Sequence, residues 1–460
     1  MTPPRRTVRH PVRIVHLGLG AFHRAHQAWY TQRANEATGG WGWGIAAFTG
    51  RSPDAARILA AQDAVYTLVE RGPESDTTSV IESLSVVADG ADAERWRRAV
   101  ADRAVGVLTL TVTEAGYRPS TAALDADLSA LRAGEVTFTA PGRIVDGIRA
   151  RRLAGAGGLA VVSCDNLPDN GRVTRDAVLG LATALDPSLA EWIDTEVSFV
   201  STMVDRITPA TTGADREAVR ELTGYDDAAP VVTEPFSEWV LSGDFPAGRP
   251  DWESAGARFV DDIEPFERRK LWLLNAGHSL LAYLGLLRGH VSIADAMGDP
   301  VCVAALEDLW AEARTELPFD DDAVDAALDA LRARFTNARI EHRLTQIATD
   351  GSQKLGPRIL DPLRSRLAAG RAPGRAETGV LAAWILHLLD GSFADAGAVD
   401  LAARLGEHPD DDAQLAVDAV SAFAPELADD PAVTESVHHQ LGALRAARSF
   451  ATEEPSRGAH

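Results

Sequence analysis

Arg13-Ile-Val-His-Leu17-Gly18-Leu-Gly20-Ala-Phe-His23 is the stretch whose reading decides the fold. Its first five residues read as a buried strand, and a helical pattern follows from about Arg24 to Ala37. A strand that passes through two closely spaced glycines into a helix is the setting of a dinucleotide-binding turn. The first glycine permits the tight turn, and the second lets a pyrophosphate approach the backbone at the helix start. Gly18, Gly20, Ala21 and Phe22 are therefore the candidate cofactor-binding residues, although His23 stands where a third glycine is usual. Trp43 to Phe48 reads as the second strand. An acidic residue beyond it would bind the ribose 2′-hydroxyl, but the chain continues Phe48-Thr-Gly-Arg51-Ser52. Arg51 and Ser52 suit a 2′-phosphate, and Arg51 also suits stacking on an adenine, so these residues leave NAD and NADP both open.

Pro53 to Ala61 reads as a helix, Val105 to Val112 as a strand leading into Thr113-Glu-Ala-Gly-Tyr117, and Ile144 to Ala154 as a helix. Leu159 to Ser163 and Val197 to Met203 continue the strands. This alternation predicts a parallel sheet covered on both faces, an α/β Rossmann-type domain. Ser163-Cys-Asp-Asn166 lies at the carboxyl end of a strand, and such ends face the ligand crevice of doubly wound sheets. The Asn166 amide can donate to a substrate oxygen there, or it can simply form a turn. Cys164 reads as a small packed residue.

Past about Glu264 nearly everything to Ser449 reads as helix, so the chain divides into an α/β domain (1–264) and a mostly α-helical domain (265–460). Two acidic runs, Asp320 to Asp322 and Asp410 to Asp412, read as helix starts, where carboxylates suit the dipole. The first long segment of this half is Lys270-Leu-Trp-Leu-Leu-Asn275-Ala-Gly-His278-Ser-Leu-Leu-Ala-Tyr-Leu-Gly285. It is apolar around its circumference, as a buried helix is. At roughly 100° per residue, Asn275 lies about 140° and His278 about 80° around the axis from Lys270. Three polar groups thus share one side of a greasy helix. Desolvation disfavours the charged form of a lysine held in this way, which suits it to acid/base work. The alternative is a lysine that snorkels to water.

Composition narrows the classes. A hydrophobic content of 45% and a charged content of 24% are those of a globular protein. No apolar run approaches the roughly 20 residues of a membrane span, and Met-Thr-Pro-Pro-Arg-Arg precedes no apolar signal core. The only cysteines are Cys164 and Cys302, too few for a disulfide framework or a thiolate metal cluster. The 12 histidines show no metal-ligand spacing, so no metal is expected. A net charge of −22 repels nucleic acid. A cytoplasmic protein without nucleic-acid or membrane partners is expected.

Five segments in order carry a resemblance: Gly18-Leu-Gly-Ala-Phe-His-Arg-Ala-His-Gln27, Ser163-Cys-Asp-Asn166, Met203-Val-Asp-Arg-Ile-Thr-Pro209, Gly248-Arg-Pro-Asp-Trp252 and Lys270-x4-Asn275-x2-His278. The chain resembles the mannitol dehydrogenase family, the polyol-specific long-chain dehydrogenases and reductases. The resemblance implies a metal-independent, NAD-dependent oxidoreductase acting on a secondary alcohol of a linear sugar derivative, and a monomer. It implies that Lys270 is the general acid/base, that Asn166 and Asn275 form the oxyanion hole, and that His278 orients the substrate. By the same matching, Glu267 is linked to proton passage and Asp205 lies near the substrate.

For the substrate, the telling stretch runs from Phe335 to Arg358 and includes His342-Arg343, Gln346-Ile-Ala and Asp350-Gly-Ser-Gln-Lys354-Leu. Within the family it resembles the fructuronate reductases, also called mannonate oxidoreductases. Arg343, Lys354 and Arg358 supply cations that can receive a substrate carboxylate. Mannitol 2-dehydrogenase and arabinitol dehydrogenase are the alternatives. A nucleotide-binding regulator without turnover is the alternative from another class, but it would have no use for Lys270.

Overall fold

The computed structural model describes residues 2–39, 42–50 and 52–453, with side chains up to 448. The chain divides into two compact units, residues 1–266 and 267–460. Arg51 lies outside the described residues.

In the first unit, the β-branched and leucine-rich runs form strands buried on both faces. Among the described residues there are eleven strands. They are β1 (Val12–Leu17), β2 (Gly44–Phe48), β3 (Tyr66–Arg71), β4 (Asp76–Ile81), β5 (Leu84–Ala88), β6 (Val107–Leu110), β7 (Leu159–Ser163), β8 (Val197–Asp205), β9 (Val231–Thr233), β10 (Glu238–Ser242) and β11 (Arg258–Phe259). Eight make one sheet in the order β11-β10-β8-β7-β6-β1-β2-β5. From β5 to β8 every pair is parallel; β10 runs antiparallel to β8, and β11 forms the edge parallel to β10. The chain leaves β1 for β2 on one side and returns to β6 on the other. The β1/β6 boundary is thus the topological switch point, where doubly wound sheets bind ligands.

The second, three-stranded sheet, β4-β3-β9, was not foreseen. The sequence Asp76-Thr-Thr-Ser-Val-Ile81 is polar because β4 is partly exposed, so it lacks the apolar signature of the central strands. The expected helix from Arg24 to Ala37 is broken. It consists of α1 (Ala21–Ala25) and α2 (Gln27–Thr38), separated at His26, whose φ −117° and ψ −88° are not helical. One of the family-like segments, Gly248–Trp252, helps to build the core. Trp239 and Trp252 are fully buried with ring centroids 4.5 Å apart, and the Trp252 indole donates to Thr31 Oγ1 at 3.1 Å.

Helices dominate the second unit, as the sequence predicts. Both acidic runs begin helices: Asp320 accepts from Ala323 N ahead of Asp321–Phe335, and Asp411 accepts from Gln414 N ahead of Asp412–Phe423. Among the described residues no helix is long and apolar enough to cross a membrane.

Arg206, next to Asp205, shows how firmly the first unit is tied. Its buried guanidinium donates to Glu234 O, Ala25 O and Glu70 Oε1, and lies 4.5 Å over the Trp29 ring. Removing one member of a buried ion pair strands the other, at a cost of about 3–5 kcal/mol. Arg206→Ala is expected to lower the unfolding free energy by that amount in urea titrations; a loss under about 1 kcal/mol would show that the network contributes little.

Candidate active site

In the first unit the candidate residues stand after the carboxyl ends of parallel strands: the glycine turn at the switch point after β1, Asn166 after β7 and Asp205 at the end of β8. Gly18 follows β1 directly, and its N–H and that of Leu19 both donate to Phe48 O, at 2.9 and 3.0 Å. Gly18 has φ +110°, and a Cβ there would lie 1.9 Å from Thr111 O, so only glycine fits. A Cβ on Gly20 would meet nothing nearer than Gly18 O at 3.6 Å, which leaves its backbone open to approach. Ala21 and Phe22 follow as the half-buried first residues of α1. This geometry fits a dinucleotide. Ser52, by contrast, donates to Asp54 Oδ2 at 2.7 Å and caps Asp54 N.

Asn166 is exposed, in the loop after β7, and that loop is fixed at both ends. The Asp165 carboxylate accepts from Val112 N (2.8 Å), Thr113 N (3.1 Å) and Tyr117 Oη (2.6 Å). Burial nevertheless raises its pKa. The fully buried Asn170 donates to Asp165 O and Thr202 O and accepts from Thr202 N. Sequence reading passed over Asn170; its position on the motif Asp169-Asn170-Gly171 gave no sign of burial. Asp205 ends β8, buried, with Arg206 anchoring the following turn. Cys164 is buried with its thiol pKa pushed up by desolvation, as a packed residue would be.

The second unit holds the lysine helix, and it departs from the expected geometry. Lys270–Asn275 is a π-helical turn, continuing as the α-helix Ala276–Leu287. The 100° spacing used above therefore does not apply between Lys270 and Asn275. With i→i+5 bonding these two residues stand one hydrogen-bonded turn apart. Such insertions are frequent at functional sites. The wide turn is held from outside: Trp310 Nε1 donates to Leu273 O at 2.9 Å, and Arg358 donates to Asn275 O at 3.3 Å and to Ser279 Oγ at 3.1 Å. Arg358 itself belongs to a second π turn, Gly356–Leu360, packed against the first.

His278 is buried, and among the described residues its Nε2 has no hydrogen-bond partner. Its ring lies 4.7 Å from those of both Phe335 and His342. Burial drives its pKa well below the usual value, and His342, Arg334, Arg358 and Lys270 add to the effect. His278 is therefore neutral. Lys270 and Asn275 are half-buried, as is Glu267 on the preceding helix, Glu264–Arg269.

The other two cations stand differently from Arg358. Arg343 is exposed and paired with Glu341 at 2.7 Å. The Lys354 ammonium donates to Thr349 O at 2.6 Å and to Ile347 O at 3.3 Å. Arg334 has no mark in the sequence, and His342 stands out there only as part of the stretch that carries the substrate resemblance. His342 reaches His278 because its loop is bridged to residues 291–293, with Ile293 N donating to His342 O. No local pattern announces that long-range pairing.

One grouping runs against the reading that no histidine is backed by metal-type partners. Potential ligand atoms of His290, Asp299 and Cys302 lie within 4.8 Å of one another. Asp299 is already engaged by Arg288 and by His290 (2.9 Å). The guanidinium supplies the positive charge at that point.

A doubly wound sheet with a glycine turn at its switch point, and a helical unit that carries half-buried Lys270 and Asn275 beside a buried His278, define a class of nucleotide-dependent oxidoreductases. The mannitol dehydrogenase Rossmann domain matches residues 12–254 and the mannitol dehydrogenase C-terminal domain residues 262–445, and the chain belongs to that family. It is 41% identical to the D-mannonate oxidoreductase of Escherichia coli (strain K12), over 82% of this chain and 79% of that one. It is 38% identical to the mannitol 2-dehydrogenase of Cereibacter sphaeroides, over 78% and 77%. The Pseudomonas fluorescens mannitol 2-dehydrogenase, solved as a ternary complex with NAD and D-mannitol, superposes with a TM-score of 0.80 at 32% identity, covering 97% of this chain and 95% of that one.

The pKa of His342 is lowered to about 4, chiefly by burial and then by Arg334. A histidine whose folded pKa lies below its unfolded value of about 6.5 stabilises the fold fully above pH 6.5. That contribution is lost as the pH falls from 6.5 through 4. Relative to His342→Gln, the wild type is expected to lose on the order of 2–3 kcal/mol across this window. Urea unfolding of both at pH 7 and pH 4.5 measures it; parallel pH profiles would show that His342 titrates alike in both states.

Proposed function

We propose that this oxidoreductase interconverts a secondary alcohol and a ketone on a linear sugar acid, D-mannonate and D-fructuronate, with NAD as its cofactor. The observation that carries the chemistry is the unpartnered Nε2 of a buried, neutral His278 on the helix that bears Lys270 and Asn275. A buried polar atom without a partner costs free energy, and a substrate hydroxyl supplies what it lacks. When bound, the nicotinamide supplies or accepts the hydride. Gly18 and Gly20, with Ala21 and Phe22, would hold the dinucleotide.

Reduction places negative charge on the substrate carbonyl oxygen. The amides of Asn166 and Asn275 donate to that oxygen and stabilise the charge as it forms. Lys270 delivers the proton that completes the alcohol, and Glu267 passes a replacement proton from solvent. His278 Nε2 and Asp205 hold the neighbouring hydroxyls. In the oxidative direction the same lysine removes the proton. Lys270→Ala is expected to lower kcat by about two to four orders of magnitude, with NADH affinity near that of the wild type. Stopped-flow single-turnover rates test this, and a variant retaining more than about a tenth of the activity would take the lysine out of its role.

The sugar acid is supported by the 41%-identical mannonate oxidoreductase and by Arg358. Arg358 donates to the lysine helix at Asn275 O and Ser279 Oγ, and its charge bears on His278. We assign it the carboxylate, leaving Arg343 and Lys354 lesser parts. A charge-assisted bond is worth about 1.5–3 kcal/mol. Arg358→Gln is therefore expected to lower kcat/KM for fructuronate about ten- to a hundredfold more than for fructose. Arg343→Gln and Lys354→Met should not separate the two substrates. Equal losses in Arg358→Gln, or a wild type that prefers fructose, would favour the mannitol 2-dehydrogenase reading; a preference for xylulose would favour arabinitol dehydrogenase.

A further inference from the structure

The Gly18 turn is held by hydrogen bonds whose direction elementary chemistry fixes. Thr111 Oγ1 lies 2.7 Å from Gly18 O, and a carbonyl can only accept, so the single hydroxyl proton of Thr111 is committed to that bond. The same hydroxyl lies 3.1 Å from His16 Nε2 and must accept there, so Nε2 carries the imidazole proton. Burial pushes the His16 pKa down to about 3, so the ring is neutral and Nδ1 is bare. Nδ1 therefore accepts from Thr109 Oγ1 at 2.8 Å. The result is one polarised chain: Thr109 hydroxyl to His16, His16 to Thr111, Thr111 to Gly18.

The sheet makes this chain possible. His16 on β1 faces Thr109 on β6 in parallel register, and Thr111 N extends the pairing by donating to Leu17 O at 2.9 Å. His23 closes the other side. Its ring stacks on His16 with centroids 3.3 Å apart and planes 8° apart, fully buried. The residue that replaces the third glycine thus covers the relay.

We propose that His16 and Thr111 are positioning residues for the cofactor: His16 orients the Thr111 hydroxyl, which fixes the Gly18 carbonyl and with it the backbone turn that receives the dinucleotide. The proposal rests on reading Gly18 and Gly20 as the cofactor seat. Both residues lie beneath the turn and act through it. Their loss changes how well the turn is preformed, and the effect is on NADH affinity more than on the chemical step.

The test is NADH dissociation measured by quenching of tryptophan fluorescence, with kcat measured at saturating NADH. Thr111→Val keeps the shape and loses the hydroxyl; it is expected to weaken NADH binding about tenfold, the worth of one buried hydrogen bond, while kcat falls less than twofold. Thr111→Ser restores the hydroxyl and is expected within about twofold of wild type. His16→Phe keeps a stacked ring without nitrogens and should match Thr111→Val, and the double variant should bind no worse than the weaker single one. Wild-type affinity in Thr111→Val, a Thr111→Ser as weak as Thr111→Val, or losses that multiply in the double variant would each overturn the relay. A wild type that binds no NADH would instead overturn the cofactor seat, and the proposal with it. The relay is also read without any variant from ¹⁵N shifts of the histidine side chains: a neutral His16 protonated at Nε2 is expected, and protonation at Nδ1 overturns it.

Discussion

A helix that widens to i→i+5 bonding at Lys270–Asn275 is held in that form by side chains outside it. Trp310 takes the Leu273 carbonyl and Arg358 the Asn275 carbonyl, and Arg358 reaches there from a second π turn packed on the first. On the proposed reading, the chemistry of the second unit depends on this arrangement. It sets Lys270 and Asn275 one hydrogen-bonded turn apart while His278 stays within the regular helix that follows. Gly277 allows the close packing: a Cβ there would come within 3.0 Å of Leu306 and 3.3 Å of Phe335. A bulkier residue would push the helix off the wall against which the histidine ring is set.

Charge at this place runs against the composition of the chain. The protein carries a net −22, yet Lys270, Arg334 and Arg358 all act on His278 in the sense that disfavours its protonation. A cationic surrounding has two uses on the proposed reading. It favours the negative charge that develops on a carbonyl oxygen as hydride arrives, and it favours a substrate that brings a carboxylate of its own. Either use needs His278 to remain a neutral hydrogen-bonding group and not a fourth cation, which its burial ensures.

What the sequence discloses and what it hides follow from range. The Gly18 turn, the β1, β2, β6, β7 and β8 strands, the acidic helix starts and the lysine helix are local patterns, and local patterns are legible. The π turn is not, because Lys-Leu-Trp-Leu-Leu-Asn reads as an ordinary apolar helix; the side chains that take its carbonyls, Trp310 and Arg358, come from far along the chain. The three-stranded sheet escapes because β4 is polar, and the break at His26 because no glycine or proline marks it. Arg343, Lys354 and Arg358 look alike in the sequence as cations of one segment. Only their partners separate them: a neighbouring glutamate, two carbonyls of the preceding turn, and the lysine helix.

Histidine serves both units in the same unusual state. His16 at the glycine turn and His278 on the lysine helix are each buried, each in ring contact with a second histidine (face to face for His16, edge-on for His278), and each held neutral by burial. The reason differs with the surroundings. At the turn, protonation would put a donor on both ring nitrogens, set one against the Thr109 hydroxyl proton and break the one-way chain that ends at Gly18. On the lysine helix, protonation would add a charge beside Lys270 and Arg358 and occupy with a proton whichever nitrogen was free to accept. An imidazole is useful in both places because it is a rigid ring with one donor and one acceptor, and burial keeps it so over the whole range in which an exposed histidine would titrate.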